Sequence, residues 1–359
     1  MTLSRRTLLA ASAAALLPLG RVAGADAPLL KAAVIGHTGR GDYGHGMDVC
    51  FTDVPRVEVV AVADPVEAGR AKAATKAKAA RQYADYRQML ETEKPDLVSV
   101  APRWSERHKE LAVAALSAGA HVYMEKPFAV SPAEGDEILA AAAKHKRRIA
   151  VAHQMRLAPS VVFLKQRVDG GLLGDLLEMR AYGKQDARAG GEDLLVLGVH
   201  LFDLMRLFAG DPQWCTARVT QQGREVTKAD ARAVKEMIGP VAGDEVTAQF
   251  AFAGGVTGGF TSRGRLRDRS GWWGLELVGS KASARILADI WPSVAVLQHA
   301  PWTAGTREER WTAIEGDPGR VPGVDKSNAT ANRRLVDDLL AAVREGREPA
   351  CSGRNAAWG

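Results

Sequence analysis

The sequence has few cysteines and no cluster of metal-binding side chains. Its 359 residues include only three cysteines, Cys50, Cys215 and Cys351. They are odd in number and far apart, which indicates neither a disulfide framework nor a zinc site. No group of histidine and cysteine residues has the spacing of a metal site. We therefore expect no metal in the functional site.

A strong charge of one sign is also missing. The formal net charge is +6, and no run of Lys and Arg or basic stripe with interleaved aromatic residues occurs. These absences argue against a nucleic-acid partner. The hydrophobic share of 46% is ordinary for a globular protein, and the length fits two domains better than one.

The first 25 residues have the pattern of a targeting segment. Arg5 and Arg6 form a twin-arginine pattern, an apolar run covers residues 10–19, and small residues follow at 23–25. The run is too short to span a bilayer of about 30 Å, which favours a cleaved signal peptide over a membrane anchor. Cleavage removes three arginines and leaves a charge of +3. We predict export to the periplasm by the twin-arginine route after cytoplasmic folding, and no stable membrane span.

Two sequence patterns divide the rest of the chain. Short β-branched runs alternate with helical stretches over residues 31–152, which predicts an α/β domain with a doubly wound parallel sheet at 29–153. Its strands are predicted at 31–35, 57–63, 97–101, 121–124 and 149–152. From 154 to 359, alternating segments between glycine-rich turns predict an α+β domain with an open, mostly antiparallel sheet. The chain stops where a last helix begins, so we expect a C-terminal truncation.

A glycine-rich turn follows the first predicted strand and is the candidate cofactor site. Glycines let backbone N–H groups approach a pyrophosphate at the positive end of a following helix. The second strand ends in Asp64, whose carboxylate can accept the hydroxyls of an adenosine ribose and would repel a 2′-phosphate, so NAD is favoured over NADP. A plain glycine-rich turn is the alternative. The turn's candidate residues are Gly36, Thr38, Gly39, Arg40 and Gly41.

The candidate catalytic residue is Lys126, in a Glu-Lys-Pro turn after the predicted strand at 121–124. Ligands bind at the carboxyl ends of strands in open parallel sheets. A lysine there can exchange a hydroxyl proton while hydride moves to or from a nicotinamide, if its pKa is lowered. The commoner fate of a loop lysine is exposure to solvent. A second candidate is His200, three residues before Asp203 on one helical face, with a buried core histidine as the alternative.

These three stretches, in this order and spacing, resemble the glucose–fructose oxidoreductase/inositol dehydrogenase (Gfo/Idh/MocA) family. The resemblance covers essentially the whole chain after the targeting segment. It implies a Rossmann domain, a second domain whose sheet often forms the oligomer interface, and hydride transfer at a sugar or cyclitol carbon. Lys126 would handle the proton, and His200 would assist it or bind the substrate hydroxyl. Further candidate cofactor-binding residues are Pro102, Arg103, His108, Glu125 and Lys126 itself.

Two departures from the family pattern leave alternatives open. Many relatives carry an aspartate four residues before the histidine, where this chain has Val196; Asp193, two helical turns before His200, either replaces it or does not. Arg103 stands where relatives usually have asparagine, and it meets a cofactor phosphate, an acidic substrate or only solvent. Arg156 and Lys184 are expected near the cleft between the domains, as substrate contacts or as structural ion pairs.

The sequence thus predicts an NAD-dependent oxidoreductase of a sugar or polyol, assembled as a dimer or tetramer. Export implies a cofactor that is held tightly and recycled in place, because free NAD would not be regenerated outside the cytoplasm. One alternative is a glycosidase that uses bound NAD for transient oxidation and elimination. The other is a relative that binds cofactor or sugar without catalysis, which the missing aspartate favours.

Overall fold

The computed structural model describes residues 28–264, 273–299 and 310–359. The predicted targeting segment at 1–25 lies outside these ranges. Two sheets and their covering helices form the described part, a six-stranded sheet in the N-terminal half and an eight-stranded sheet in the C-terminal half. The α/β class predicted from the sequence is confirmed. Among the described residues, no helix is long and apolar enough to cross a membrane.

The N-terminal sheet is parallel, with the strand order β3-β2-β1-β4-β5-β6. Its strands are β1 (Leu30–Ile35), β2 (Val57–Ala63), β3 (Arg81–Tyr83), β4 (Leu97–Val100), β5 (His121–Met124) and β6 (Ile149–Val151). Its helices are α1 (Glu67–Ala77), α2 (Tyr86–Glu93), α3 (His108–Ser117) and α4 (Pro132–His145). All four residues of β4 are buried, as expected for a strand covered on both faces. The order reverses between β1 and β4, which opens a crevice at the carboxyl ends of the strands.

One expectation about the glycine-rich turn is wrong. No α-helix lies between β1 and β2, where residues 43–53 form a series of turns instead. Gly39, Gly41, Gly44 and Gly46 all have φ between 54° and 81°, and Asp42 has φ 50°. This left-handed backbone interrupts helical hydrogen bonding, so no helix dipole points at the crevice from this segment.

The second sheet is mixed but mostly antiparallel, in the order β14-β13-β12-β7-β11-β10-β8-β9. Only the pair β7 and β11 is parallel among these neighbours. The strands are β7 (Leu176–Tyr182), β8 (Trp214–Gln221), β9 (Arg224–Glu225), β10 (Glu245–Ala251), β11 (Thr257–Arg263), β12 (Gly274–Gly279), β13 (Ser283–Leu287) and β14 (Ser293–Leu297). Helices α5 (Pro159–Asp169), α6 (Gly191–Asp193) and α7 (Val199–Ala209) precede or interrupt them. Leu164 of α5 and Leu201 of α7 pack with Phe260 and Leu277 of the sheet in one core.

The C-terminal helices return to the first domain. In α8 (Asn328–Glu345), Leu335 and Leu339 pack into the core beneath the parallel sheet, and a short α9 (Gly353–Ala356) follows. The carbonyl of Cys351 accepts a hydrogen bond from Val151 N at 2.8 Å. This contact covers the edge of β6, where unpaired backbone groups would otherwise remain. The predicted boundary after residue 153 separates the two sheets. Helices α8 and α9 lie after this boundary, but they pack against the parallel sheet of the first domain.

We predict that Leu339→Ala destabilises the parallel-sheet domain by about 2–5 kcal/mol, because it leaves a cavity at a fully buried position. Asp337→Ala on the exposed face of the same helix is the control; its ion pair with Arg333 lies at the surface. Denaturant unfolding of both variants measures the difference. Equal stabilities would show that α8 does not belong to this core.

Candidate active site

The crevice beside β1 and β2 holds a cavity of about 240 Å³ with an apolar wall. Ile35, Ala63 and Leu111 contribute to that wall, and Asp64 and Pro102 also line the cavity. Asp64 is 1% exposed, and its Oδ2 accepts from Thr38 N at 2.9 Å and from Thr38 Oγ1 at 2.7 Å. An apolar cavity beside a carboxylate at the end of the second strand fits the adenosine half of a dinucleotide, whose base is flat and apolar.

The glycines of the turn serve two purposes, internal packing and access for a ligand. A Cβ on Gly36 would lie 2.0 Å from the ring of Tyr43, and one on Gly41 would lie 2.6 Å from the backbone nitrogen of Arg103. At these two positions, glycine leaves room for another part of the protein to pack against the backbone. Gly39 has no neighbour within 4 Å of such a Cβ and faces open space. Of the predicted glycines, Gly39 has the backbone that a phosphate could approach.

A segment of the second domain covers this turn. Gly39, Arg40 and Trp104 line a cavity of about 470 Å³ together with residues of the segment 233–240. The Arg40 guanidinium stacks 4.8 Å from the centroid of the Trp104 ring. Across the domain junction, Ser105 Oγ donates to Met237 O at 3.3 Å and Arg103 Nη1 lies 3.4 Å from Glu236. A dinucleotide in the crevice would therefore touch both domains.

His108 and Glu125, both predicted to bind the cofactor, are instead buried supports. The ring nitrogens of His108 lie 2.6 Å from Pro127 O and 2.8 Å from Pro102 O, and burial lowers the pKa of this histidine. Glu125 has no exposed surface; its carboxylate accepts from the backbone N–H groups of His45 and Lys126 and from the His45 ring. Burial opposes ionisation of Glu125, but the hydrogen bond and charge of His45 outweigh it and lower the pKa to about 2. Both residues fix the loops that carry the site.

Lys126 lies in a cleft between the two domains and is 6% exposed. Its Nζ donates to Val196 O at 3.0 Å. Burial lowers the pKa of Lys126, because the ammonium is the form that loses hydration. The alternative of a solvated loop lysine does not apply.

The acceptor of Lys126 belongs to a π-helical turn, Leu194–Gly198, between α6 and α7. Such turns are rare and often lie at functional sites. His200 follows in the first turn of α7, is 8% exposed and lines the same cleft. Burial, and next the charge of Lys126, lower the pKa of His200 well below its usual value. The backbone carbonyl of Val196 thus meets the lysine, at the position where the family resemblance implies an aspartate in many relatives.

The cleft has a volume of about 210 Å³, and its walls combine polar and apolar side chains. Arg103 and Lys126 face it from the first domain, and His200, Glu236 and Trp273 from the second. Within the described ranges, three buried atoms of these side chains have no hydrogen-bond partner: Arg103 Nε, His200 Nδ1 and Trp273 Nε1. Because buried polar atoms are nearly always satisfied, their convergence indicates a polar ligand.

Asp193 does not reach this cleft. Its carboxylate accepts from Ser262 Oγ at 2.6 Å and from the backbone nitrogens of Lys184 and Gln185 at 3.2 and 3.1 Å. The π turn after it takes more residues per turn than an α-helix, so Asp193 and His200 point to different surroundings. Of the two alternatives left open for Asp193, these contacts favour the one in which it does not replace the missing aspartate: it fixes the loop after β7.

The two candidate substrate contacts differ from each other. The Arg156 guanidinium holds Asp203 in a buried ion pair, with Nε at 3.0 and 2.9 Å from the two carboxylate oxygens, which favours the structural alternative. Lys184 lines the cleft, 6.0 Å from the centroid of the Trp273 ring and 3.9 Å from Asp186. It stays a candidate for substrate binding.

Sequence reasoning missed several residues of the cleft, among them His45, Arg188, Glu236 and Trp273. Glu236 lies 3.4 Å from both Arg188 and Arg103, which joins the two domains. None of these residues stands in a motif, and each reaches the cleft through contacts distant in sequence. A Gly-His-Gly run at 44–46 was the one local sign, because its glycines indicate a tight backbone around His45.

A parallel sheet with a dinucleotide crevice, joined by a lysine-bearing cleft to an antiparallel sheet, defines the class of two-domain Rossmann oxidoreductases. The profile "Oxidoreductase family, NAD-binding Rossmann fold" matches residues 30–153, and "Oxidoreductase family, C-terminal alpha/beta domain" matches residues 176–357. The chain belongs to the Gfo/Idh/MocA oxidoreductase family. Its N-terminal domain is an NAD-binding domain, and the residues of the crevice fit that cofactor.

Relatives of known activity include several sugar and polyol dehydrogenases. Inositol 2-dehydrogenase of Salmonella typhimurium is 38% identical over 127 residues, 34% of this chain and 37% of that protein. The chain thus spans little more than a third of that relative's length. Levoglucosan dehydrogenase of Pseudarthrobacter phenanthrenivorans is 26% identical over 282 residues, 69% of this chain and 72% of that protein. A solved levoglucosan dehydrogenase with NADH and levoglucosan has a TM-score of 0.73 at 21% identity, over 91% of this chain and 93% of that one, which shows a shared fold.

We predict that Arg156→Leu destabilises the protein by about 3–5 kcal/mol, because it leaves Asp203 buried without its counter-ion. The double variant Arg156→Leu/Asp203→Leu should recover most of this loss, since it removes both charges. Denaturant unfolding measures both. A double variant as unstable as the single one would show that the guanidinium does more than hold Asp203.

Proposed function

We propose that the chain is an NAD-dependent dehydrogenase of a sugar or polyol hydroxyl, with Lys126 as its proton acceptor. The observation that carries this proposal is the buried Lys126 amine, bound to a neutral carbonyl in a cleft next to the dinucleotide crevice. A neutral acceptor stabilises an ammonium less than a carboxylate does, and burial acts in the same direction. Lys126 therefore loses its proton more readily than a solvated lysine, and the deprotonated amine can take a hydroxyl proton.

Bound NAD would supply the hydride acceptor at the edge of the cleft. Lys126 Nζ would receive the hydroxyl proton as the carbonyl forms. His200, kept neutral by burial, would hold the reacting hydroxyl, and its unpartnered Nδ1 is a free group for this contact. Trp273 Nε1 would donate to another hydroxyl, and its ring offers the flat apolar face that sugar rings contact. Lys184 would contact the substrate from the rim.

We further propose that NAD is retained and recycled between an oxidised and a reduced substrate. Support comes from the segment 233–240, which lies over Gly39 and Arg40, and from the contacts of Arg103 and Ser105 with that segment. A cofactor in this cavity would lie between the turn and that segment, and these contacts would slow its release. Export by the twin-arginine route, and assembly into a dimer or tetramer, complete this proposal and rest on the sequence alone.

The wild-type protein tests the reaction. We expect NAD to be released on denaturation and identified by mass spectrometry, and the bound NAD to become NADH, absorbing at 340 nm, when inositol, levoglucosan or a glucoside is added. Release of an aryl alcohol from aryl glycosides would instead indicate the glycosidase. A protein with bound NAD and no reaction with any sugar would favour a binding function.

Lys126→Ala should lower turnover by about 10²- to 10⁴-fold, the usual contribution of one acid–base group, and leave NAD bound. Lys109→Ala on α3 is the matched control, since Lys109 pairs with Glu134 and Glu137 and does not line the cleft. Because burial lowers the pKa of Lys126, oxidation should increase with pH as the ammonium loses its proton, and reach its plateau below the usual range of lysine. Full turnover in Lys126→Ala would exclude the mechanism.

A further inference from the structure

A second acid–base group faces the cleft beside Lys126 and has no role in the mechanism above. His45 lies in the run of turns after β1, and its ring lines the same cleft as Lys126 and His200. The His45 side chain is 37% exposed, whereas Lys126 and His200 are buried residues. His45 therefore has access to water that the other two lack.

Glu125 fixes the tautomer of this histidine. Its Oε1 lies 2.7 Å from His45 Nδ1 and accepts from His45 N at 3.0 Å. Because the pKa of Glu125 is lowered to about 2, the carboxylate is ionised and can only accept. Nδ1 therefore carries the hydrogen, and in the neutral ring Nε2 carries the lone pair. A buried carboxylate that orients an imidazole in this way is the arrangement of acid–base histidines in hydrolytic triads.

The backbone of His45 is held from two sides as well. Its carbonyl accepts from Asn332 Nδ2 at 2.9 Å, and Asn332 Oδ1 in turn accepts from Tyr123 and from Gln154. A Cβ on Gly44 would lie 2.4 Å from Glu125 Oε1, so only glycine lets the chain approach the carboxylate this closely. The turn after β1, the end of β5, Gln154 and α8 thus place one imidazole.

We propose that His45 is a relay that passes the substrate proton from Lys126 to solvent, with Glu125 as its positioning residue. This inference rests on the proposed function. As the substrate O–H bond breaks, an N–H bond forms on the Lys126 amine. That bond then breaks, and through a water in the cleft a proton reaches His45 Nε2, where a new N–H bond forms. The imidazolium releases its proton to solvent, and both side chains return to their starting states.

His45→Ala with added imidazole tests the relay. Turnover with a sugar that the wild type oxidises should fall on the order of 10²-fold, with KM and NAD binding unchanged. Free imidazole should restore turnover in proportion to its concentration, because it can enter the half-exposed position and carry the proton. His145→Ala, at the end of α4, is the matched control and should be unaffected with or without imidazole.

Three results would overturn the relay. The first is unchanged turnover in His45→Ala, and the second is a folded, NAD-binding His45→Ala whose lost turnover imidazole does not restore. The third needs no substrate: nitrogen-15 NMR of the wild-type protein at high pH should show hydrogen on Nδ1 of His45 and a bare Nε2, and the opposite tautomer excludes the relay. A wild type that oxidises no sugar would contradict the proposed function instead, and the tautomer would still test the histidine.

Discussion

The site depends on one buried carboxylate and the three donors around it. Glu125 has no exposed surface at the end of β5, yet it binds the backbone of Lys126 and both the backbone and the ring of His45. A charge survives such burial only where donors replace its lost hydration. The turn after β1 and the turn after β5 must therefore keep their spacing. This requirement fixes Lys126 and His45 before any substrate arrives, and preorganised groups of this kind lower barriers because they need not rearrange during reaction.

The π turn explains how Lys126 keeps a hydrogen-bond partner although Val196 departs from the family pattern. The turn presents the Val196 carbonyl to Lys126 at 3.0 Å, so the lysine keeps a partner although the aspartate that the family resemblance implies is missing. A carbonyl leaves the amine less strongly protonated than a carboxylate would. This chain therefore keeps a placed lysine of lowered pKa without the aspartate, which argues for catalysis over binding alone. Asp193 fixes the loop that carries Lys184 and is not the group that replaces the missing aspartate.

The parallel sheet was predictable because its patterns are local. The predicted strands correspond to β1, β2, β4, β5 and β6, and Ser131 caps α4 by accepting from Glu134 N, a contact between near neighbours in sequence. The helix expected after β1 is missing because five left-handed residues interrupt it, and the glycine pattern alone does not distinguish the two outcomes. The return of α8 to the first domain was also hidden, since an apolar helical face does not say which core it will join.

The sequence by itself determined that Asp64 and Lys126 share one edge of a parallel sheet, because strands of one direction bring their carboxyl ends together. It also determined the family, through motifs that are short and contiguous. Only the tertiary structure decided which side chains meet those residues. His45 reaches Glu125 across 80 residues, and Arg103 reaches Glu236 across 133. The tertiary structure also pairs Arg156 with Asp203, and it places the His108 ring against two backbone carbonyls. Such pairings follow from packing and from the need to satisfy buried charge, and no local pattern encodes either.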